Sequence, residues 1–243
     1  MMDVDVGWLL APAAALLAAC LLLVPLGAQV LARGVVFIDL ALAQVAACGV
    51  LVTALVLHDP PLWLASASAA AAALAGAALV WWLARRWPEQ REALIGLVYV
   101  AGAGCSVIVA GLDPHGRERL GALLAADVLW APWAGVALLA AVAVAVQVAG
   151  RRLQRDAVFF PLFAVALSVA VPVLGLYLVF ALLIAPALWT RRGRSLVAAT
   201  AAAACACAAG LALSWCIDLP SGASVAVAMC VLGLGAAVAK SGR

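Results

Sequence analysis

AVFFPLFAVALSVAVPVLGLYLVFALLIAPALWT, residues 157–190, is an apolar run of 34 residues without a single charged side chain. Arg151, Arg152 and Arg155 precede it, and Arg191, Arg192 and Arg194 follow it. About 20 apolar residues suffice to cross a bilayer as a helix, so this run is a membrane segment. As one helix it would extend about 51 Å, long for one crossing and enough for two short ones. Loops rich in Lys and Arg stay on the cytoplasmic side. Both flanks therefore belong on one side, and the run crosses an even number of times. Pro172 and Gly175 supply the break, with a turn expected near Val171–Gly175 on the outer side. Freed backbone groups at such a break are tolerated only against protein or water, which places the run in the protein interior.

The rest of the chain has the same character. Of its 243 residues, 69% are hydrophobic and 10% charged, and the mean hydropathy is +1.23. Such values lie outside the range of soluble domains. Further spans are expected at 8–31, 35–57, 62–84, 93–112, 122–149, 195–217 and 222–240. Residues 1–243 thus read as a single all-α domain, a polytopic bundle of eight or nine transmembrane helices, nine being preferred. The first span follows Asp3 and Asp5 with no basic segment before it, so it reads as a retained helix and not a cleaved signal.

Grouping Arg33, Arg85, Arg86, Arg91, the two arginine clusters around 157–190, Lys240 and Arg243 places 12 of the 14 Lys and Arg residues in the cytoplasm. The N-terminus is then outside and the C-terminus inside. The opposite loops carry His58, Asp59, Asp113 through Arg119, and Asp218. Residues 67–78 and 198–209 are nearly all Ala, Gly or Ser, which lets helices approach closely. The expected location is the inner (plasma) membrane, in contact with lipid. The net charge of +3 is spread over short loops and builds no nucleic-acid surface.

Little enzymatic chemistry is available. No Walker A motif is present, and the single lysine is Lys240, so the chain does not bind ATP by that route. His58 and His115 fall in loops and in no metal-ligand spacing. The seven cysteines form no CxxC or His/Cys cluster and read as small packing residues, Cys205-Ala-Cys207 included. An enzyme is not expected, nor any covalently bound cofactor. What stands out is Phe37 to Gly49, an apolar segment that holds Asp39 and Gln44. Charged groups in a bilayer are costly and usually face a protein interior or an aqueous path. Asp39 and Gln44 lie about 140° apart around an ideal helix, so they do not share a face. Gln44 and Cys48, four apart, do. Asp127 is the other intramembrane acid, expected near the outer start of its helix.

Several stretches resemble the membrane permeases of metal-ion ABC uptake transporters, which import zinc, manganese or ferrous iron. Pro25-Leu26-Gly27 followed by Arg33-Gly34 and Phe37 to Gly49 is similar to that family's first hairpin. Ala93-Leu94-Ile95-Gly96 resembles its next pattern, and Leu120 to Leu129 a stretch whose acidic position Asp127 matches. Val173 to Ala187, closed by Arg191-Arg192, is the strongest match, and Asp218 to Gly222 resembles the last outer turn. The family commonly reads Gly-Asp-x-Leu-x-His-Ala. Counting back from Gly49 puts Gln44 at the histidine position and Leu40 at the aspartate position, with Asp39 one residue early. Relatives also carry a longer amphipathic segment where Arg151 to Asp156 stands.

The resemblance implies a homodimeric permease that offers a path to a divalent metal, zinc or manganese first. Asp39, Gln44, Cys48 and Asp127 would line that path. A separate ATP-binding cassette subunit, docked at Arg151, Arg152, Arg155 and Asp156, would use the ATP. An extracytoplasmic metal-binding protein would deliver the cargo. The altered histidine position leaves room for a metal chelate or a small organic solute as cargo. The short inner segment leaves room for a carrier or accessory subunit working without an ATPase.

Overall fold

The computed structural model describes residues 9–35, 37–58 and 60–238. Ten α-helices follow in chain order: α1 Leu10–Arg33, α2 Ile38–Leu57, α3 Leu62–Arg86, α4 Arg91–Leu112, α5 Gly116–Leu124, α6 Trp133–Ala149, α7 Asp156–Leu174, α8 Leu176–Arg191, α9 Leu196–Ile217 and α10 Ser221–Val238. No strand occurs among the described residues. Among the described residues, seven helical segments are long and apolar enough to cross a membrane; α8 and α10 are shorter apolar helices, and α5 spans 9 residues. Asp3, Asp5, Asp59, Lys240 and Arg243, which entered the expected disposition of loops and termini, lie outside the described residues.

α1 sits at the centre and packs on α6, α8 and α9. Its sequence is apolar on every side, as suits a helix surrounded by protein. Gly27 is what lets it press onto α8, since a Cβ there would overlap the Leu183 carbonyl. Cys20 of α1 and Cys207 of α9 meet in this core as free thiols, their sulfurs 3.8 Å apart. By contrast, α3, α4, α6 and α9 are only 22–28% buried over their membrane windows. They turn apolar side chains such as Leu97, Ile108, Val144 and Val197 outward. Exposed apolar faces of this extent belong in lipid or against another protein.

Residues 157–190 form two mostly buried helices, and the break falls on one residue. Gly175 has φ 78° and ψ 154°, a conformation open only to glycine. Pro172 does not break the chain. It lies inside α7, where it removes the donor that would reach Ser168, and the helix runs on to Leu174. Gly175 is also in close contact with Ala125 and Ala126, so a side chain there has no room.

That contact explains a second departure. The expected helix 122–149 is interrupted: α5 stops at Leu124, a 3-10 turn covers Val128–Trp130, and α6 starts only at Trp133. Two local features compete with the helix. Pro132, extended at ψ 141°, caps α6 and pushes the residue before it away from helical geometry. Asp127 Oδ1 accepts the Leu129 N–H at 3.2 Å and bends the chain back on itself. Asp127 is thus not on a helix.

Tryptophans mark two levels. Trp63, Trp130, Trp133 and Trp215 are exposed at one end of the bundle, and Trp81, Trp82 and Trp87 at the other. Arg85 and Arg86 lie over the rings of Trp81 and Trp87, at 4.9 and 5.3 Å. From Trp63 to Trp82 along α3 is about 28 Å, close to the roughly 30 Å of bilayer hydrocarbon. Amphipathic rings at that spacing form interfacial belts. All four basic loops gather at the second end: Arg33 reaches Leu153, Gln154 and Asp156, Arg191 donates to Leu31 O at 2.9 Å, and Arg91 lies beside Gly34.

Candidate functional site

α2 runs between the two ends. Asp39 is in its first turn, at the basic end, and is only 2% exposed. Neither carboxylate oxygen has a hydrogen-bond partner. A buried charge without partners is expensive, and the helix N-terminus offsets only a fraction of that cost. Gln44 is buried one turn further along, where Gly102 of α4 packs so closely that a Cβ added to it would lie 3.2 Å from Gln44 Cβ, and Ser106 Oγ lies 3.5 Å from the Gln44 backbone carbonyl oxygen. Cys48 is half-buried and faces a cavity of about 570 Å³ between α2, α3 and α4, shared with Cys105, Ser68 and Thr53. That cavity is lined almost wholly by apolar atoms, so it is not polar along its length.

Asp127 stands at the opposite end. The segment that carries it is wedged between Gly175 and Gly222, both of which touch Ala126. This brings Asp127 Oδ1 against Ser221 Oγ, which donates to it. Asp127 lines a cavity of about 420 Å³ with Arg119, the end of α2 (Val50, Leu51, Ala54) and Pro172. Arg119 is itself anchored, donating to His58 O at 2.8 Å and pairing with Asp113 at 3.3 Å. The cavity is an apolar cup with an acid and a guanidinium at its polar edge.

The structure therefore does not gather the four candidate residues into one cluster. Leu51, at the Asp127 cavity, lies twelve positions after Asp39 on α2, about 18 Å along the axis. Among the described residues, no three His, Cys, Asp or Glu side chains come together as a metal cage.

Arg151, Arg152, Arg155 and Asp156 fall on and after a 3-10 turn, Gly150–Gln154. All four are exposed, while Leu153 between them is buried. Sequence reasoning missed what holds this turn. Arg33, read only as a loop charge, donates to the carbonyls of Leu153 and Gln154 at 2.9 and 3.1 Å and to Asp156 Oδ1 at 3.2 Å. It also missed Ser221, whose signal is a serine after Pro220 at a helix start, and Glu92. The Glu92 carboxylate oxygens in the first turn of α4 are buried without hydrogen-bond partners.

Comparison with known proteins agrees with this architecture. The architecture is a membrane bundle with a broken inner hairpin. Residues 148–240, from the basic turn through α10, match the family model ABC-3, the ABC 3 transport family. The whole bundle is similar to PsaBC from Streptococcus pneumoniae in complex with Fab, with a TM-score of 0.74 and 15% sequence identity over 96% of this chain and 91% of that one. No curated protein sequence matches the chain. The C-terminal part of the chain thus carries the likeness to an ABC transport family, and the whole chain has the fold of a multi-pass helical membrane bundle. The resemblance to metal-ion ABC permeases read from its sequence is borne out.

Proposed function

We propose that the chain is one half of a homodimeric importer that conducts a divalent metal ion, with manganese favoured over zinc. A separate ATP-binding cassette subunit supplies the energy at the basic end, and an extracytoplasmic binding protein delivers the ion at the Asp127 end. The observation that carries this reading is Asp39, a buried carboxylate with no partner in the protein. A passing cation supplies the missing charge, and the protein regains the neutral interior when the ion leaves. Gln44 and Asp127 add only oxygen donors to the path, and the Cys48 thiol faces an apolar cavity between α2, α3 and α4. Oxygen donors suit manganese, whereas imidazole and thiolate suit zinc. Weak stations spaced along α2 also suit conduction, since an ion must leave each one.

The test is uptake of manganese, zinc and ferrous iron in cells carrying a deletion of the chain, complemented by wild type, Asp39→Asn or Gln44→Ala. Asp39→Asn is expected to lower uptake of the cargo at least about tenfold, a barrier change of roughly 1.4 kcal/mol. Unchanged uptake of all three metals on deletion contradicts the proposal. One observation favours a second reading. The described residues hold no three-ligand cage, and the Asp127 cavity has the volume of a small-solute pocket. A chelated metal or small organic solute is then the cargo, and only the chelated form is taken up in the same cells. Capture of a nucleotide-binding subunit on a tagged copy rules out a carrier that works without one.

A further inference from the structure

Arg33 is heavily engaged at the basic end. It makes five hydrogen bonds: to Gln29 O and Gln29 Oε1 on its own helix, to the carbonyls of Leu153 and Gln154, and to Asp156 Oδ1. Its guanidinium also lies 4.1 Å from the centre of the Phe159 ring, which stacks on buried Phe163. No other residue type offers this set, because only a planar fork with five N–H donors reaches carbonyls and a carboxylate while lying flat on a ring.

The geometry joins three parts of the fold. The two carbonyls are the last of the Gly150–Gln154 turn, and Asp156 opens α7. Leu153, 3% exposed, plugs the turn into the core, while Arg151, Arg152 and Arg155 face outward. On the other side, Arg33 closes α1, whose end is fixed by the left-handed Gly34 with its N–H on Leu31 O. Leu31 O also receives Arg191 from the end of α8. α1 and α8 then pack along their length, through Gly27 against Leu183. α8 begins just after Gly175, which rests on the segment carrying Asp127. A continuous set of packed parts thus leads from the basic turn to the far end.

We infer that Arg33 is a positioning residue that holds the Gly150–Gln154 turn as a rigid platform for the ATP-binding subunit and passes the platform's displacement to α1 and α8. This rests on the function proposed above. The platform presents three arginines, so the surface it fits is acidic. Without Arg33 the turn remains attached through Leu153 and the chain, yet it moves without moving α1.

The test uses the full chain with the ATP-binding subunit that co-purifies with it, reconstituted in liposomes, with manganese as the transported ion. Arg33→Gln is expected to lower ions moved per ATP hydrolysed about tenfold, within the span of ordinary site-to-site couplings. The KM for ATP stays unchanged, which a general loss of structure would not give. Arg33→Lys, which keeps the charge without the fork, falls between. Asp156→Ala removes one contact and lowers the ratio severalfold, which keeps the inference testable should Arg33→Gln fold poorly. Amide exchange in residues 151–155 of the purified chain is expected to rise about tenfold in Arg33→Gln with α1 unchanged. An unchanged transport ratio with the subunit still captured overturns this inference alone. Failure of the wild-type chain to capture any ATP-binding subunit overturns the proposed function as well.

Discussion

Asp39 concentrates the chemistry of this chain because it breaks the rule that buried charge is paired. Its two oxygens find no donor, although it is 2% exposed. Structural economy would have removed it: a neutral side chain of the same shape avoids a desolvation cost of at least about 1 kcal/mol. Asp39→Asn should therefore hold or raise the thermal unfolding midpoint of the purified protein while it lowers uptake. A fall in both measurements together would make Asp39 a structural residue. Ser221 offers the opposite case. Its hydroxyl donates to Asp127 and also accepts from the Leu129 N–H at 3.3 Å. Ser221→Ala should cost about 1 kcal/mol in unfolding experiments, and its effect on transport should match that of Asp127→Asn if both act by shaping the same cavity. The intramembrane acids were legible in the sequence, since any carboxylate among so many apolar residues stands out. Their partners, or lack of them, were not, because a partner such as Ser221 lies 94 positions away.

At the level of elements, Gly175 does the work that the sequence divides between Pro172 and Gly175. Two helices were legible in residues 157–190 from the basic flanks alone, because the charge rule forces an even number of crossings. Where they break was not, since that depends on which residue adopts φ 78° against Ala125 and Ala126. Gly175→Ala should destabilise the protein by about 1–3 kcal/mol, through both the disfavoured conformation and the contact; a thermal unfolding series checks it. Pro172→Ala should cost much less, since the helix already runs through that position. The stretch 122–149 hides a different lesson. Its Ala and Leu content reads as one helix, yet Asp127 and Pro132 hold local geometry that outcompetes eight residues of helix propensity between Leu124 and Trp133. Apolar composition told how much membrane segment was present and not where it was interrupted.

The whole molecule is organised by two ends. One gathers Arg33, Arg91, the Gly150–Gln154 turn and Arg191; the other gathers Asp127, Arg119, Ser221 and the exposed Trp130 and Trp133. α2 connects them with Asp39 near the first and Leu51 at the second. With the basic end inside, a single cysteine introduced at Arg152 should react with a membrane-impermeant maleimide only in inverted vesicles, and one at Trp130 only in intact cells. The central claim is that this bundle conducts a divalent cation past Asp39 when an ATP-binding partner works at its basic end. The most direct measurement is manganese uptake into proteoliposomes that hold the purified chain and its co-purifying ATP-binding subunit, wild type beside Asp39→Asn. The account predicts ATP-dependent manganese accumulation in the wild type and a drop of at least about tenfold in Asp39→Asn, with ATP hydrolysis still present. Equal accumulation in the two, or none in either while ATP is hydrolysed, would contradict it.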